Sequence, residues 1–255
     1  MPHPDLTLAV PCYNEAARLD PNAFLDFVAV RPAVRLLFVD DGSTDATPRI
    51  LEALRDAAPD VVDVMRLSAN RGKAEAVRLG ILEAARRGAS LVGFWDADLA
   101  TPLNAVDDFL ALSVKRPDVE VILGSRVMLL GRDIRRLAWR HYLGRVCATL
   151  VSLVLDLPVY DTQCGAKVFR SNDALAAVFA TPFLSRWIFD VEMLARYLAQ
   201  PVRPGDPPRR ERIYELAVAV WHHKTGSKLR RTDYARALFD LTRIWHARRT
   251  GRRLG

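Results

Sequence analysis

The sequence predicts an α/β fold built on a mixed, mainly parallel sheet with helices on both faces. The first 125 residues alternate five short runs rich in Val, Leu and Phe, typical of buried strands, with stretches of helical spacing. Strands separated by helices pair in parallel through right-handed crossovers. The composition is that of a globular protein, since 50% of the 255 residues are apolar and 26% are charged.

In this first part of the chain, apolar runs predict the strands, and capping residue types before segments of helical spacing predict the helices. Buried strands are predicted at 6–11, 34–40, 61–67, 91–96 and 119–125. Helices are predicted at 16–30, 44–54, 73–87 and 103–114. Asn14, Ser43 and Thr101 are residue types that cap helices, and they stand before three of these segments.

The pattern changes after residue 125. A basic and apolar helix is predicted at 134–155, a compact stretch at 161–170, a helix at 190–199, a strand at 212–220 and a basic amphipathic helix at 228–247. We therefore expect one α/β domain over 1–228, with halves 1–125 and 126–228, followed by a basic amphipathic C-terminal segment over 229–255.

Charge is distributed unevenly along the chain. Residues 201–255 contain fourteen Lys and Arg against five Asp and Glu, whereas the first 200 residues contain 23 against 25. This excess favours an acidic partner, which is nucleic acid, an anionic membrane surface or a phosphorylated substrate.

Neither a membrane span nor an export signal is predicted from the hydrophobic pattern. No apolar run reaches the roughly 18 to 20 residues that cross a bilayer, and no basic region precedes an apolar stretch at the N-terminus. Cys12, Cys147 and Cys164 are widely spaced. They are expected to be reduced thiols of a cytoplasmic protein, not disulfides or zinc ligands.

Polar motifs follow the predicted strands, at the sheet edge where α/β proteins bind ligands. Asp96-Ala97-Asp98 comes directly after a buried run. Two carboxylates this close repel each other unless they share a cation, and hard oxygen ligands suit Mg²⁺ or Mn²⁺ on a diphosphate. These residues therefore predict a metal and diphosphate site, with an ordinary surface turn as the alternative.

Two further turns extend this prediction. A capped strand-to-helix connection at 40–45 explains the glycine and the hydroxyls, but it needs at most one of the two adjacent acids, Asp40 and Asp41. Asp41 is therefore a candidate to accept hydrogen bonds from a base or ribose. Lys73 stands at the start of a predicted helix, whose N–H groups would join it in binding a phosphate. The alternative is a solvated turn with a surface lysine.

Taken in order, these motifs resemble the signatures of inverting family 2 nucleotide-sugar glycosyltransferases with the GT-A fold. The resemblance rests on 11–15, 40–45, 70–73 with Gly80, and 96–98. Segments 124–126, 161–167, 189–192 and 221–228 resemble the polyprenyl-phosphate branch, with the dolichyl-phosphate β-glucosyltransferases ahead of the dolichyl-phosphate mannosyltransferases. The resemblance runs from about residue 6 to residue 230.

The resemblance implies that 1–125 binds the nucleotide-sugar donor. Glu15 and Asp41 would contact the base and ribose, and Asp98 together with Asp96 would hold Mg²⁺ or Mn²⁺ on the diphosphate. The other implied donor-site residues are Pro11, Tyr13, Lys73, Ala97, Gln163 and Lys228. Ala100 stands where the mannosyltransferase branch has a third metal-contacting side chain, which weakens that assignment.

The resemblance also implies that 126–228 binds the acceptor, with Arg126 and Arg140 holding a lipid phosphate through bidentate hydrogen bonds. A phosphate monoester has a second pKa of about 6 and is largely dianionic at neutral pH. It would therefore attack the anomeric carbon without a general base, and Asp190 would orient the sugar or the acceptor. Glu192 is interpreted as an interior acid paired with an arginine, and His222 and His223 as surface or partly packed residues.

We therefore expect an enzyme that moves a hexose, glucose from UDP-glucose, onto a polyprenyl phosphate at the inner membrane face, docked peripherally on an anionic surface through its arginines. One alternative keeps the donor site but uses a hydroxyl acceptor with Asp190 as base, or a GDP-mannose donor. The other is a basic nucleic-acid-binding module, which is disfavoured because no zinc-finger, RNP or basic-zipper pattern is present.

Overall fold

The computed structural model describes the backbone of residues 5–135, 138–224 and 231–250, and all of their side chains except those of 138–143 and 231–235. The strands are β1 (Leu6–Cys12), β2 (Val34–Asp40), β3 (Val62–Arg66), β4 (Leu91–Trp95), β5 (Val121–Ser125), β6 (Asp133–Arg135), β7 (Ala166–Arg170), β8 (Ile213–Ala217) and β9 (Val220–His222). The α-helices are α1 (Pro21–Ala29), α2 (Thr47–Ala57), α3 (Lys73–Arg86), α4 (Val106–Lys115), α5 (Ala138–Leu155), α6 (Asp173–Phe179), α7 (Phe189–Leu198) and α8 (Arg231–Thr250).

Seven strands form one sheet in the order β3-β2-β1-β4-β7-β5-β8, and β6 pairs with β9 in a second, two-stranded sheet. All pairs in the large sheet are parallel except those of β7, which runs antiparallel to β4 and to β5. The predicted mixed, mainly parallel sheet is thus confirmed. The edge strand β3 is only partly buried, so its predicted burial is wrong.

Helices cover both faces of the sheet, as predicted. One face packs against α1, α2 and α4 through residues such as Phe24, Leu51 and Phe109. The other packs against α3, α5, α6, α7 and α8 through residues such as Val77 and Val191. With both faces covered, the loops at the carboxyl ends of β1, β2 and β4 are left open for a ligand.

The predicted capping role of Asn14 and Ser43 is wrong. The helix predicted at 16–30 starts at Pro21, where the Asp20 carboxylate accepts a hydrogen bond from the Ala23 N–H at 3.2 Å. The Asn14 N–H donates to Ser43 Oγ at 3.0 Å, and Asn14 Oδ1 accepts from the Thr44 N–H at 2.8 Å. These polar residues therefore tie the β1 and β2 loops together and begin no helix.

The second half of the chain departs further from the prediction. The helix predicted at 134–155 is the short strand β6 followed by α5, because Ile134 is buried in the register position opposite Trp221. The strand predicted at 212–220 is divided between β8 and β9, and the stretch at 161–170 contains β7. Thr101 caps no helix, since the 3₁₀ turn at Leu103–Ala105 follows Pro102.

No helix within 5–135, 138–224 and 231–250 is long and apolar enough to cross a bilayer. Cys12, Cys147 and Cys164 are free thiols, of which only Cys147 is exposed.

Candidate active site

A cleft of about 1750 Å³ opens at the carboxyl ends of the parallel strands and continues between α5 and α8. It brings together most of the predicted site residues, which are separated by up to 179 positions in the sequence. Its lining includes Pro11, Tyr13, Glu15, Asp41, Lys73, Asp96, Ala97, Asp98, Arg126, Gln163 and Asp190. The Arg140 side chain and Lys228 lie outside the part that the structure describes.

The two adjacent acids of the β2 turn both have structural partners. Asp41 accepts hydrogen bonds from the N–H groups of Arg71 and Gly72, at 2.7 and 2.8 Å. Burial raises the pKa of Asp41, and these two N–H groups oppose the shift. Asp40 accepts from the Ser43 N–H at 2.9 Å. The capped turn therefore accounts for Asp40 alone, as predicted, and Asp41 fixes the loop that precedes α3.

Gly42 makes this arrangement possible. Its φ is +69°, and a Cβ there would lie 2.6 Å from the backbone carbon of Ala69. A larger residue would therefore be strained and would push apart the two loops that Asp41 joins.

Glu15 is held by a neighbour that the sequence prediction missed. Its carboxylate accepts from Arg18 Nε at 2.8 Å and Nη2 at 2.5 Å, and its N–H donates to Thr47 Oγ1 at 2.8 Å. Arg18 also lines the cleft. The i,i+3 spacing of an acid and a base is the signal that could have identified it.

Asp96 lies against two groups from distant elements. Its carboxylate contacts Lys73 Nζ, and its N–H donates to the Gly165 carbonyl at 2.9 Å. A Cβ at Gly165 would lie 1.9 Å from Asp96 Oδ2. Burial lowers the pKa of Lys73, but the charges of Asp96, Asp190 and Asp98 outweigh it, so the net shift is upward and Lys73 is a cation.

Asp98 has the chemistry of a metal ligand. Burial, and then the charge of Asp96, raise its pKa, while the Ala100 N–H donates to its Oδ1 at 3.1 Å. A divalent cation would relieve this repulsion and would suit hard carboxylate oxygens. The residues present therefore fit such an ion. The described ranges contain no cluster of three or more His, Cys, Asp or Glu for a metal, so further ligands would be water or ligand oxygens.

A buried ion pair stands behind the cleft. Lys167, in β7, is fully buried, with Nζ 2.6 Å from Asp190 Oδ1 and 2.5 Å from the Cys164 carbonyl oxygen. Burial raises the pKa of Asp190, and the charges of Lys167 and Lys73 oppose that shift. Lys167 belongs to a predicted motif but received no role, although a lysine inside an apolar strand is a signal that it is paired.

Arg126 is fixed by Asp161. Its Nε and Nη2 donate to the Asp161 carboxylate at 2.6 and 2.7 Å, and its guanidinium lies 5.2 Å from the centre of the Trp221 ring. Glu215 in turn accepts from the Asp161 N–H at 2.7 Å. Asp161 lines the cleft with Gln163, and its carboxylate positions the arginine.

A second buried pair positions the segment before α7. Glu192 is fully buried, contacts Arg196 Nη2 at 2.7 Å, and accepts from the N–H groups of Leu184 and Ser185. This confirms the interpretation of Glu192 as an interior acid. The segment it holds carries Arg186 into the cleft beside Gly72, a residue that the sequence prediction missed.

Of the two histidines expected to be surface or partly packed residues, His223 lines the cleft, with its ring centre 6.2 Å from that of Trp221. His222 Nε2 lies 2.7 Å from Asp133 Oδ2, and both side chains are partly exposed. This agrees with the surface placement expected for His222.

The chain is similar to known proteins in sequence and in fold. The model of the family "Glycosyl transferase family 2" matches residues 7–173. The dolichyl-phosphate beta-glucosyltransferase of Drosophila melanogaster is 35% identical over 242 residues, which are 89% of this chain and 70% of that protein. The enzyme of the same name from Dictyostelium discoideum is 32% identical over 238 residues, 88% of this chain and 68% of that protein.

Solved structures share the fold at lower identity. Glucosyl-3-phosphoglycerate synthase from Mycobacterium tuberculosis, in complex with Mn²⁺, UDP-glucose and phosphoglyceric acid, superposes with a TM-score of 0.66 and 16% identity over 96% of this chain and 79% of that chain. TarS 1-349 from S. aureus superposes with a TM-score of 0.61 and 17% identity over 96% of this chain and 65% of that one.

Proposed function

The chain belongs to glycosyltransferase family 2, and on that premise we propose that it transfers glucose from UDP-glucose to a polyprenyl phosphate, with inversion at the anomeric carbon. Membership confirms the predicted enzyme class and GT-A fold. The names of the relatives support glucose as the sugar and a polyprenyl phosphate as the acceptor. The UDP-glucose complex of the M. tuberculosis enzyme supports the donor.

One observation carries the proposal: the carboxylates of Asp96 and Asp98 and the guanidinium of Arg126 line the same cleft. The first pair suits a metal-bound diphosphate. The guanidinium suits a phosphate through its charge and its Nη1 group, since Asp161 already accepts from Nε and Nη2. A cleft with both features brings two phosphorylated substrates together.

A divalent ion held by Asp98 and Asp96, Mg²⁺ or Mn²⁺, would neutralise charge on the departing diphosphate when bound. The Mn²⁺ in the M. tuberculosis complex supports this assignment. Lys73, which contacts Asp96, adds a second positive charge at the same end of the cleft. The diphosphate end therefore has cationic groups from two different elements.

The acceptor needs no general base. The phosphate monoester is largely dianionic at neutral pH, because its second pKa is about 6. One of its oxygens forms the bond to the anomeric carbon while the bond to the UDP oxygen breaks, and UDP leaves with the electron pair. Arg126 holds the attacking phosphate in line with that bond, so the rate enhancement comes from positioning and electrostatics.

The other residues support this geometry. Asp190, paired with Lys167, orients the sugar. Tyr13, Pro11 and Ala97 form the walls of the nucleotide pocket, with Gln163 at the sugar. Glu15 and Asp41 act mainly by holding loops, since Arg18 and two backbone N–H groups already engage their carboxylates. Arg140 and Lys228 are predicted to join the acceptor phosphate and the diphosphate.

The direct test combines purified protein, Mn²⁺, a polyprenyl phosphate and a panel of UDP- and GDP-sugars, and scores the glycosylated lipid by mass spectrometry. Glucosyl lipid from UDP-glucose, lost in Asp98→Ala, is the expected result. Mannosyl lipid from GDP-mannose alone would replace the donor assignment. No glycolipid from any donor would overturn the proposal.

A hydroxyl acceptor is the second candidate, favoured by the Asp190 carboxylate, which lines the cleft and is the candidate base. Asp190→Asn separates the two. If the acceptor were a hydroxyl, the variant would lose nearly all kcat because it lacks the base. With a phosphate acceptor, the expected effect is confined to KM and a modest fall in kcat.

We also infer that the protein docks peripherally on the anionic inner face of a membrane. Arg243 and Arg249 of α8 are exposed and lie over the rings of Phe239 and Trp245, residues that are 65% and 42% exposed. Each basic residue near an anionic surface contributes about 1 kcal/mol, and exposed aromatic side chains add apolar contact.

Flotation with liposomes of neutral or anionic lipid, at low and high salt, tests this docking. Binding only to anionic liposomes and only at low salt is expected. Failure to float at low salt would refute it, and tight salt-sensitive binding to DNA instead would favour the nucleic-acid alternative.

A further inference from the structure

One residue in the turn after β4 has a backbone conformation that is unusual for its type. Leu99 has a φ of +52°. Among the described residues other than glycine, only Asn14 and Asp156 share a positive φ, and both have short polar side chains that tolerate the left-handed region. A leucine there is an outlier. Such residues persist only where the surrounding structure over-determines them, and they cluster at active sites.

Two hydrogen bonds within the turn depend on this conformation. The Leu99 N–H donates to the Asp96 carbonyl oxygen at 3.2 Å, and the next N–H, that of Ala100, donates to Asp98 Oδ1 at 3.1 Å. The second bond requires the chain to fold back at Leu99, because its donor follows its acceptor by only two residues. The left-handed residue therefore sets the orientation of the Asp98 carboxylate, the candidate metal ligand.

Neighbouring elements hold the turn from both sides. The His222 N–H of β9 donates to the Ala100 carbonyl oxygen at 3.0 Å, and Trp95 Nε1, in β4, donates to the Thr101 carbonyl oxygen at 2.8 Å. The turn is thus tied to the end of its own strand and to the two-stranded sheet. These bonds are the surroundings that keep an unfavourable φ in place.

The Leu99 side chain lies on the opposite side of the turn from the cleft. Residues 96–98 and Ala100 line the cleft, whereas Leu99 does not. Its side chain is partly buried against the core on the α1 side of the sheet and borders a small cavity of about 380 Å³ with Phe27 and Leu103. A glycine would adopt the turn without strain but would lack this anchor, so the leucine makes the turn rigid at a cost in backbone energy.

We propose that Leu99 is a positioning residue of the metal site. Its backbone turns the Ala100 N–H onto the Asp98 carboxylate, and its side chain anchors the turn to the layer of α1. The carboxylate is then oriented before a divalent ion binds. The inference rests on the proposed function, since it takes Asp98 as a ligand of the ion on the donor diphosphate. It adds that the affinity for that ion depends on a residue outside the cleft.

The experiment compares Leu99→Gly, Leu99→Ala and Leu99→Met. Glycine removes both the strain and the anchor, alanine removes the anchor alone, and methionine keeps an apolar anchor of similar volume. Asp156→Gly and Asp156→Ala are matched controls, because Asp156 has a φ of +49° and does not line the cleft. Mn²⁺ binding in the presence of UDP is measured from the electron paramagnetic resonance signal of free Mn²⁺. UDP binding without metal is measured by calorimetry, and Tm by thermal melting.

Melting temperatures test the strain. At both positions the glycine variant is expected to melt about 2–4 °C above the alanine variant, because the left-handed conformation is unfavourable for alanine but not for glycine. At ordinary helix and strand positions the order is reversed. A Leu99→Gly protein that melts below Leu99→Ala, or that does not fold, would overturn the proposal.

Mn²⁺ affinity tests the positioning. Leu99→Gly and Leu99→Ala are expected to raise the Kd of Mn²⁺ about tenfold, because the loosened turn must be ordered when the ion binds. Leu99→Met should stay within about threefold of the unmodified protein and the Asp156 variants within about twofold. Metal-free UDP binding should be the same in all five variants. If Leu99→Ala alone does not fold, the glycine and methionine variants decide this comparison.

Three results would contradict the positioning role: unchanged Mn²⁺ affinity in Leu99→Gly and Leu99→Ala, an equal loss of metal-free UDP binding, or no Mn²⁺ binding by the unmodified protein. Two further outcomes separate the role from the proposed function. Mn²⁺ affinity that depends on Leu99, without glucosyl transfer from UDP-glucose, keeps the positioning role and removes the proposed function. Glucosyl transfer with the same Mn²⁺ affinity in the unmodified protein and in Leu99→Gly keeps the function and removes the positioning role.

Discussion

Replacing Gly165 by alanine places a methyl group where the Asp96 carboxylate lies. The added Cβ would be 1.9 Å from Oδ2 and 2.1 Å from the carboxyl carbon. To reach even 3.0 Å, the shortest separation that real Cβ atoms show, the oxygen must retreat by about 1.1 Å. The Gly165 backbone does not adopt a positive φ, so the substitution adds no backbone strain of its own.

This displacement is expected to act on activity far more than on stability. A shift of about 1 Å in a positioned group costs about 10²-fold in rate, which corresponds to about 2.7 kcal/mol in the activation barrier. The pair that moves, Lys73 and Asp96, is 43% and 32% exposed. Its loss should therefore cost no more than about 1 kcal/mol of unfolding free energy, and Tm should fall by no more than about 4 °C.

The assay is steady-state glucosyl transfer with UDP-glucose, with Tm measured in parallel. Gly144→Ala is the matched control, because an added Cβ there meets nothing within 4 Å. It should keep wild-type activity. Gly165→Ala with kcat/KM within about threefold of the wild type would refute the argument that Asp96 must occupy this position. An unfolded variant would refute the separation of activity from stability.

The remaining predictions concern the metal site, the buried ion pair and the accessible thiol. Asp98→Asn should lower kcat at least about 10²-fold, and added Mn²⁺ should not restore it, because the amide carries no charge; recovery in a metal titration would contradict this. Lys167→Met should lower the free energy of unfolding, measured in urea, by about 3–5 kcal/mol, because Asp190 is left buried without its cation. Adding Asp190→Asn should restore most of that stability. A double variant no more stable than Lys167→Met would show that the ion pair is not the cause. N-ethylmaleimide should modify Cys147 before the two buried thiols, which mass spectrometry can measure. The adduct should raise the KM for farnesyl phosphate, a short prenyl phosphate. Equal rates of modification at all three cysteines would contradict the observed burial of Cys12 and Cys164.

Much of the donor end could be predicted from local sequence. Strand β2 was predicted with its observed bounds, and the predicted start of α3 at Lys73 is confirmed. Continuous apolar runs mark strands that are buried on both faces, and the polar residues after them must lie at one edge of the sheet. The carboxylates of Asp41, Asp96 and Asp98 could therefore be assigned to one edge of the sheet from the sequence alone.

The structure of the chain after residue 125 was predicted less well, for a physical reason. β7 inserts between β4 and β5 and runs antiparallel to both, with a lysine in its interior. A charged residue in the core is tolerated only because Asp190 neutralises it, and that partner belongs to a helix 23 positions further along the chain. Local propensity contains no information about such a pair.

The sequence by itself determined the family, the alternation of strands and helices, and the strand-end positions of the acidic motifs. These depend on residues close together in the chain, whose apolar period fixes which side of each element is buried. Only the tertiary structure decided that Lys73 contacts Asp96, that Asp161 fixes Arg126, and that α5 and α8 form a groove. Such pairings depend on which elements pack side by side. A buried charged group needs a partner, and the packing decides which group lies within reach.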